Sequence, residues 1–193
     1  RCVPSGSSKP EFKRLMASET ETDFLSVLTD NWLWCFENKV LNFETVCEFS
    51  EDSRKEKNVS AYDSGGHSCN TGYCILSGSA TVRAYGSATV RAYGSATVEA
   101  YGSATVRAYG SATVRAYGSA TVEAYGSATV RASGSATVEA YGSATVEAYD
   151  SATINSYTSN GHTVEQYAVC RYLSYSGEVS KVIAGPDFLK LIK

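Results

Sequence analysis

From Gly78 to Tyr157 the chain repeats one octapeptide, Gly-Ser-Ala-Thr-Val-Arg/Glu-Ala-Tyr, ten times in succession, filling 80 residues with none inserted or lost. A fixed short period marks a stacked-repeat architecture, because one unit cannot bury its apolar side alone and must lay it against the next. Within each copy Ala80, Val82 and Ala84 project to one side of an extended strand, and Ser79, Thr81, Arg83 and Tyr85 to the other. A period of two specifies β structure rather than helix. The Ala-Val-Ala side must face inward, since the opposite choice would bury every Arg and Glu of the repeat without a partner. Such small residues suit an interior between two sheets a little under ~10 Å apart.

The variable sixth position sets the number of octads per coil. In order it reads Arg83, Arg91, Glu99, Arg107, Arg115, Glu123, Arg131, Glu139, Glu147 and Asn155. Two octads per coil stack residue i on i+16, and four of the seven charged pairs are then opposite: 83 with 99, 99 with 115, 107 with 123, and 131 with 147. Three octads per coil leave one opposite pair of six, 115 with 139. Stacked like charges destabilise a ladder, so the spacing predicts a 16-residue, two-faced coil of either hand. Gly at each octad boundary supplies the corner, with Asp150 as a tolerated substitute. The fold class expected is therefore all-β: a β-solenoid with a small α+β N-terminal cap and a C-terminal cap.

The flanks read as those caps. Ser18 to Asp30 carries a capping box, Ser18 with Glu21, and an apolar face of Phe24, Leu25, Val27 and Leu28. Trp32 to Phe36 and Val40 to Phe49 read as a hairpin around Glu37-Asn38-Lys39. Residues 16–58 thus form a helix-and-hairpin cap that ends in a charged connector, Ser50 to Asn58. The solenoid spans 59–168, with degenerate copies from Tyr62 to Ser77. After Tyr157 a two-residue insertion is expected before Gly161 to Tyr167 returns to register as a last copy. Residues 169–193, with the turn Ala184-Gly185-Pro186-Asp187, form the opposite cap, as solenoid ends require. The only methionine is Met16, and the expectation is that 1–15 is an upstream or disordered segment, or the remnant of a longer chain.

Charge and cysteine usage narrow the function classes. Residues 1–77 hold 8 basic and 12 acidic side chains, net −4; residues 78–157 hold 5 and 5, net 0; residues 158–193 hold 4 and 3, net +1. No segment is basic enough to suggest nucleic-acid binding, and no apolar run approaches the ~20 residues of a membrane span. Cysteines at 2, 35, 47, 69, 74 and 170 are expected to be reduced, buried fillers in a cytoplasmic protein, because no signal-peptide core is visible. His67-Ser68-Cys69 with Cys74 lacks the paired spacing of a structural zinc site. No copy holds a nucleophile–base pair or a phosphate loop, and His67 and His162 lie in degraded copies. Neither catalytic, cofactor nor metal residues are therefore expected, and the chain does not read as an enzyme.

The unit Tyr85-Gly86-Ser87 followed by a Thr-bearing strand resembles the octapeptide repeats of bacterial ice-nucleation proteins, over residues 78–157. That resemblance implies paired octads in 16-residue β-solenoid coils and a flat water-ordering face built on Thr-x-Thr. Here Arg83 stands two places after Thr81, and no octad has Thr-x-Thr. The chain is also similar in architecture to polymer-forming, bactofilin-like β-helices, which implies self-assembly into filaments. From the residues alone, the expected function is a structural or binding rod that presents Thr, Arg/Glu and Tyr columns to a repetitive protein or glycan surface, or to itself. The candidate surface is Tyr93, Tyr109, Tyr125, Tyr141 and Tyr157, the column left unbroken, since the other is interrupted at Ser133.

Overall fold

The structure is a computed structural model that describes residues 20–21, 23–24, 43–158 and 161–191. It divides into two compact units, residues 1–61 and 62–193.

In the first unit, residues 21, 23 and 24 are helical. Thr20 caps that turn: its hydroxyl accepts the Asp23 amide (3.0 Å) and donates to the Asp23 carboxylate (2.7 Å). The expected Ser18 cap lies outside the described residues. Glu21, expected to reach back to that cap, instead accepts from the Ser50 amide and from the Ser53 hydroxyl (3.0 Å). The hairpin's first strand and its turn also lie outside the described residues. Where its second strand was expected, the chain forms helix α1 (Phe43–Cys47). Val46 is buried there and Phe49 packs on Phe24, with ring centroids 5.8 Å apart. Short apolar runs fit either period, and Cys47, expected to be a buried filler, is exposed on this helix. The charged connector is a second helix, α2 (Glu51–Glu56), capped by the Ser50 hydroxyl and closed at Asn58 in the left-handed conformation (φ 55°).

The second unit is the solenoid. Its strands are β1 (Val59–Tyr62), which begins in the first unit, β2 (Gly66–Cys69) and β3 (Tyr73–Leu76), then one per octad: β4 (Thr81–Ala84), β5 (Thr89–Ala92), β6 (Thr97–Ala100), β7 (Thr105–Ala108), β8 (Thr113–Ala116), β9 (Thr121–Ala124), β10 (Thr129–Ala132), β11 (Thr137–Ala140), β12 (Thr145–Ala148) and β13 (Thr153–Ser156). β14 (Thr163–Val164), β15 (Val169–Leu173), β16 (Val179–Ala184) and helix α3 (Pro186–Leu191) complete it. Alternate strands build two sheets, parallel but for the final β15-β16 pair, one nine-stranded in the order β1-β3-β5-β7-β9-β11-β13-β15-β16, the other seven-stranded in the order β14-β12-β10-β8-β6-β4-β2. Through the octads each strand residue pairs with the one 16 later, as in Thr97↔Thr113 and Arg107↔Glu123. This is the two-octad coil that the charge ladder predicts.

The core follows from the octad. Every inward Ala and Val from Ala80 to Val146 is fully buried, and each such valine contributes about 1.5–3 kcal/mol relative to exposure. Each corner glycine takes a positive φ, +71° at Gly134, where a Cβ would lie 3.0 Å from the Gly118 carbonyl oxygen one coil below. Glycine is needed on both counts. At two corners without it, Asp150 and Gln166, a polar side chain stands in the same left-handed conformation. Asp150 (φ 55°) accepts the Gly134 amide (2.9 Å), and Gln166 (φ 54°) accepts the Asp150 amide (2.7 Å).

The flanking copies differ from expectation in register. No insertion follows Tyr157: Glu147 pairs with Thr163 and Thr153 with Val169, so the 16-residue count runs on. His162 therefore stands in the buried valine column and Val164 in an alanine column, although Gly161-His162-Thr163-Val164 reads like an octad start. β15, assigned by sequence to the cap, continues the parallel stack on β13. The cap proper is β16, which pairs antiparallel with β15 around a register shift at Tyr172/Leu173, and α3. At the other end, Gly66 pairs with Thr81 while Tyr73 pairs with Thr89, so that half-coil is one residue short.

Candidate functional site

Each face carries three outward columns: Thr at the strand start, Arg or Glu in the middle, and Tyr just past the strand end. On the nine-stranded sheet the five tyrosines expected from sequence form one continuous stack. Ring centroids are 5.0 Å apart for Tyr93–Tyr109 and Tyr109–Tyr125, 4.8 Å for Tyr125–Tyr141 and 4.7 Å for Tyr141–Tyr157, with interplanar angles of 10° or less. The spacing is that of the β-ladder itself, so rings at identical octad positions have no choice but to stack. What they present outward is a row of ring edges and hydroxyls.

The sixth-position carboxylates take up several of those hydroxyls. Tyr125 donates to Glu123 (2.8 Å) and Tyr141 to Glu139 (2.7 Å), and burial together with these bonds pushes both phenols above the ordinary tyrosine range. Arg107 pairs with Glu123 at 2.8 Å. Arg91, although in the outward column, is buried, and burial lowers its pKa.

On the seven-stranded sheet Tyr85, Tyr101 and Tyr117 stack at 5.1 and 4.9 Å, and the run stops at Ser133. Tyr117, with no ring above it, is 37% exposed. The charged column holds Arg83–Glu99 (3.0 Å), Arg115–Glu99 (3.5 Å) and Arg131–Glu147 (2.7 Å). Arg83 holds the Glu99 carboxyl below its ordinary pKa.

Two clusters lie in the degraded copies: one around His162, which escaped the sequence reading, and one around His67, Cys69 and Cys74, which that reading weighed only as a zinc site. His162 accepts the Val146 amide at Nδ1 (3.2 Å), leaving the proton on Nε2, which lies 2.8 Å from the Ser156 hydroxyl; Ser156 in turn donates to the Thr158 carbonyl (3.2 Å). With its proton on that side, the imidazole is not a base toward Ser156, and the trio closes the end of the core. At the other end, His67 stacks on Tyr62 at 3.6 Å and lies 2.9 Å from the Ser64 carbonyl. The Cys69 thiol donates to the Thr71 carbonyl (3.4 Å), and the interaction between neighbouring thiols holds Cys69 below, and with burial holds Cys74 far above, the ordinary thiol range. Their only sequence signal was misfit to the repeat. Among the described residues no three His, Cys, Asp or Glu side chains converge as metal ligands would, and no helix is long and apolar enough to cross a membrane.

The unbroken column ends at a hollow of about 550 Å³ lined by Tyr157, Thr158, Tyr172 and Lys181 among others, where the Lys181 ammonium lies 5.5 Å from the Tyr172 ring centre. The fold and this surface define the chain as a β-solenoid of tandem octapeptides. No family model, curated protein or solved structure matches it.

Proposed function

We propose that this protein is a non-enzymatic structural or binding rod that presents its Thr, Arg/Glu and Tyr columns to a repetitive partner, a glycan or a protein surface. The observation that carries this reading is the stack Tyr93–Tyr109–Tyr125–Tyr141–Tyr157, whose 4.7–5.0 Å repeat offers the same group again and again along one line. A partner with a matching repeat gains many weak, equivalent contacts, and hydroxyl-bearing aromatic edges suit polar, extended polymers. End-to-end filament growth is the weaker reading, because β16 closes one sheet with an antiparallel, shifted strand. Ice binding is weaker still, since a charged column separates Thr from Tyr on both faces. Replacing Tyr109, Tyr125 and Tyr141 together by Ser should lower binding to a polysaccharide or protein array by about tenfold or more. Unchanged binding, with the circular dichroism spectrum intact, would contradict this assignment.

A further inference from the structure

The seven-stranded face is unlike the proposed binding face, and its two irregularities fit each other. Down its middle runs Arg83, Glu99, Arg115, Arg131, Glu147, and beside it Tyr85, Tyr101, Tyr117, Ser133, Tyr149, each step being one coil. A two-fold axis along the strand direction through Arg115 lays this face on a second copy with the coil order reversed and each column opposite itself. Arg83 then meets the second copy's Glu147, and Glu99 meets its Arg131. Because Arg83 already pairs with Glu99 and Arg131 with Glu147, every charge in these clusters has an opposite beside it and an opposite across from it. Only Arg115 meets itself, and its guanidinium leans toward Glu99 (3.5 Å).

The same operation acts on the aromatic column. Tyr101 falls opposite the second copy's Ser133, the one position where the ring is missing, and the reverse contact repeats it. The gap that interrupts the ladder is thus a socket for a ring on the partner.

We infer that the seven-stranded face is a self-complementary, two-fold interface between two copies of this chain. The nine-stranded face does not offer the same fit. Its Arg91 is buried and its Arg107 side chain is 19% exposed, against 61%, 48% and 59% for Arg83, Arg115 and Arg131, so the contrast lies in the arginines; the carboxylates are similarly covered, Glu123 at 20% and Glu99 and Glu147 at 19% and 31%. Five rows of five residues cover about 24 by 16 Å, roughly 400 Å² per copy. That is half the roughly 800 Å² per partner of a stable complex, so the dimer is weak and concentration-dependent.

Sedimentation velocity of the full chain over a concentration series tests this independently of the binding assays above. Wild type should show reversible dimerisation that weakens with added salt. Ser133→Tyr restores the repeat yet fills the socket, and should weaken association by about tenfold without lowering Tm. Glu99→Arg should weaken it by a similar factor, about tenfold, and Glu99→Arg with Arg131→Glu should recover it to within about threefold of wild type. A wild type that stays monomeric up to about 1 mM, a Ser133→Tyr variant that associates as well as wild type, or a double variant no better than Glu99→Arg would each overturn the inference.

Discussion

The regular coils and the C-terminal end coil obey the same count with different residues, while at the N-terminal end β2 pairs with β4 one residue short of it. Between Gly78 and Tyr157 the inward positions are almost all Ala and Val, and the corners are glycine up to Gly142. At the ends the valine column holds His67 and His162, the alanine column holds Cys69, Ser156 and Tyr172, and Gln166 turns a corner. The stack nevertheless continues at 16 residues per coil through β15. Register is therefore held by the ladder hydrogen bonds, such as Thr129 N–H to the Ala112 carbonyl (3.0 Å), and misfit side chains are accommodated where the core is already ending. A dry interior one side chain thick tolerates no polar group, whereas an end coil can satisfy one.

That contrast is broken most sharply in mid-rod. Val114→Asp puts an unpaired carboxylate into the core and should unfold the solenoid, a loss of more than about 4 kcal/mol in chemical denaturation. Its neighbour Arg115→Glu changes only the exposed column, trading the Glu99 contact for relief of the stacked Arg115–Arg131 pair, and should stay within about 0.5 kcal/mol. Equal losses would mean that the facing is wrong.

The corners give the next largest effect. Gly134→Ala forces a Cβ against the Gly118 backbone at a positive φ and should cost about 1–3 kcal/mol. At the end corner Gln166→Gly loses one side-chain bond but relieves the left-handed backbone, so the expected change is below about 1 kcal/mol. Comparable melting shifts for the two would erase the distinction between middle and end.

The smallest effect sharpens the account of the end coil. Burial lowers the His162 pKa from its ordinary value of 6.5. The unfolded chain thus binds the proton more readily, and stability is full above pH 6.5 and falls as pH drops from there toward the lower folded value. Glu99, held below its ordinary value of 4.5, acts only at lower pH. Melting curves between pH 7.5 and 5, on the order of one pH unit either side of the ordinary histidine value, should show a decline in wild type that His162→Gln flattens. An equal decline in both would assign it elsewhere.

Most of the rod was legible because it repeats. Alternation fixed the inward side, and the order of Arg and Glu fixed the coil length, since only the i+16 pairing joins 83 with 99 and 131 with 147. The Tyr column followed from the same arithmetic. What was misread lies where likeness to the octad competes with counting: Gly161 to Tyr167 resembles a copy started late, yet the ladder holds its phase and places His162 inward. The hydrogen bond of His162 with Ser156 depends on that phase and was invisible without it. In the first unit Phe43 to Cys47 suits strand and helix alike by residue type, so pattern alone could not decide.

The coil count is tested most directly by nitroxide pairs on outward-facing threonines, in a background with the native cysteines replaced. Thr113 and Thr129 are paired neighbours in one sheet, so labels there should show strong dipolar broadening at a backbone separation of about 4.8 Å. Labels at Thr113 and Thr121, in opposite sheets, and at Thr113 and Thr137, should show much weaker coupling. Broadening for 113 with 137 that matches or exceeds that for 113 with 129 would contradict the 16-residue coil.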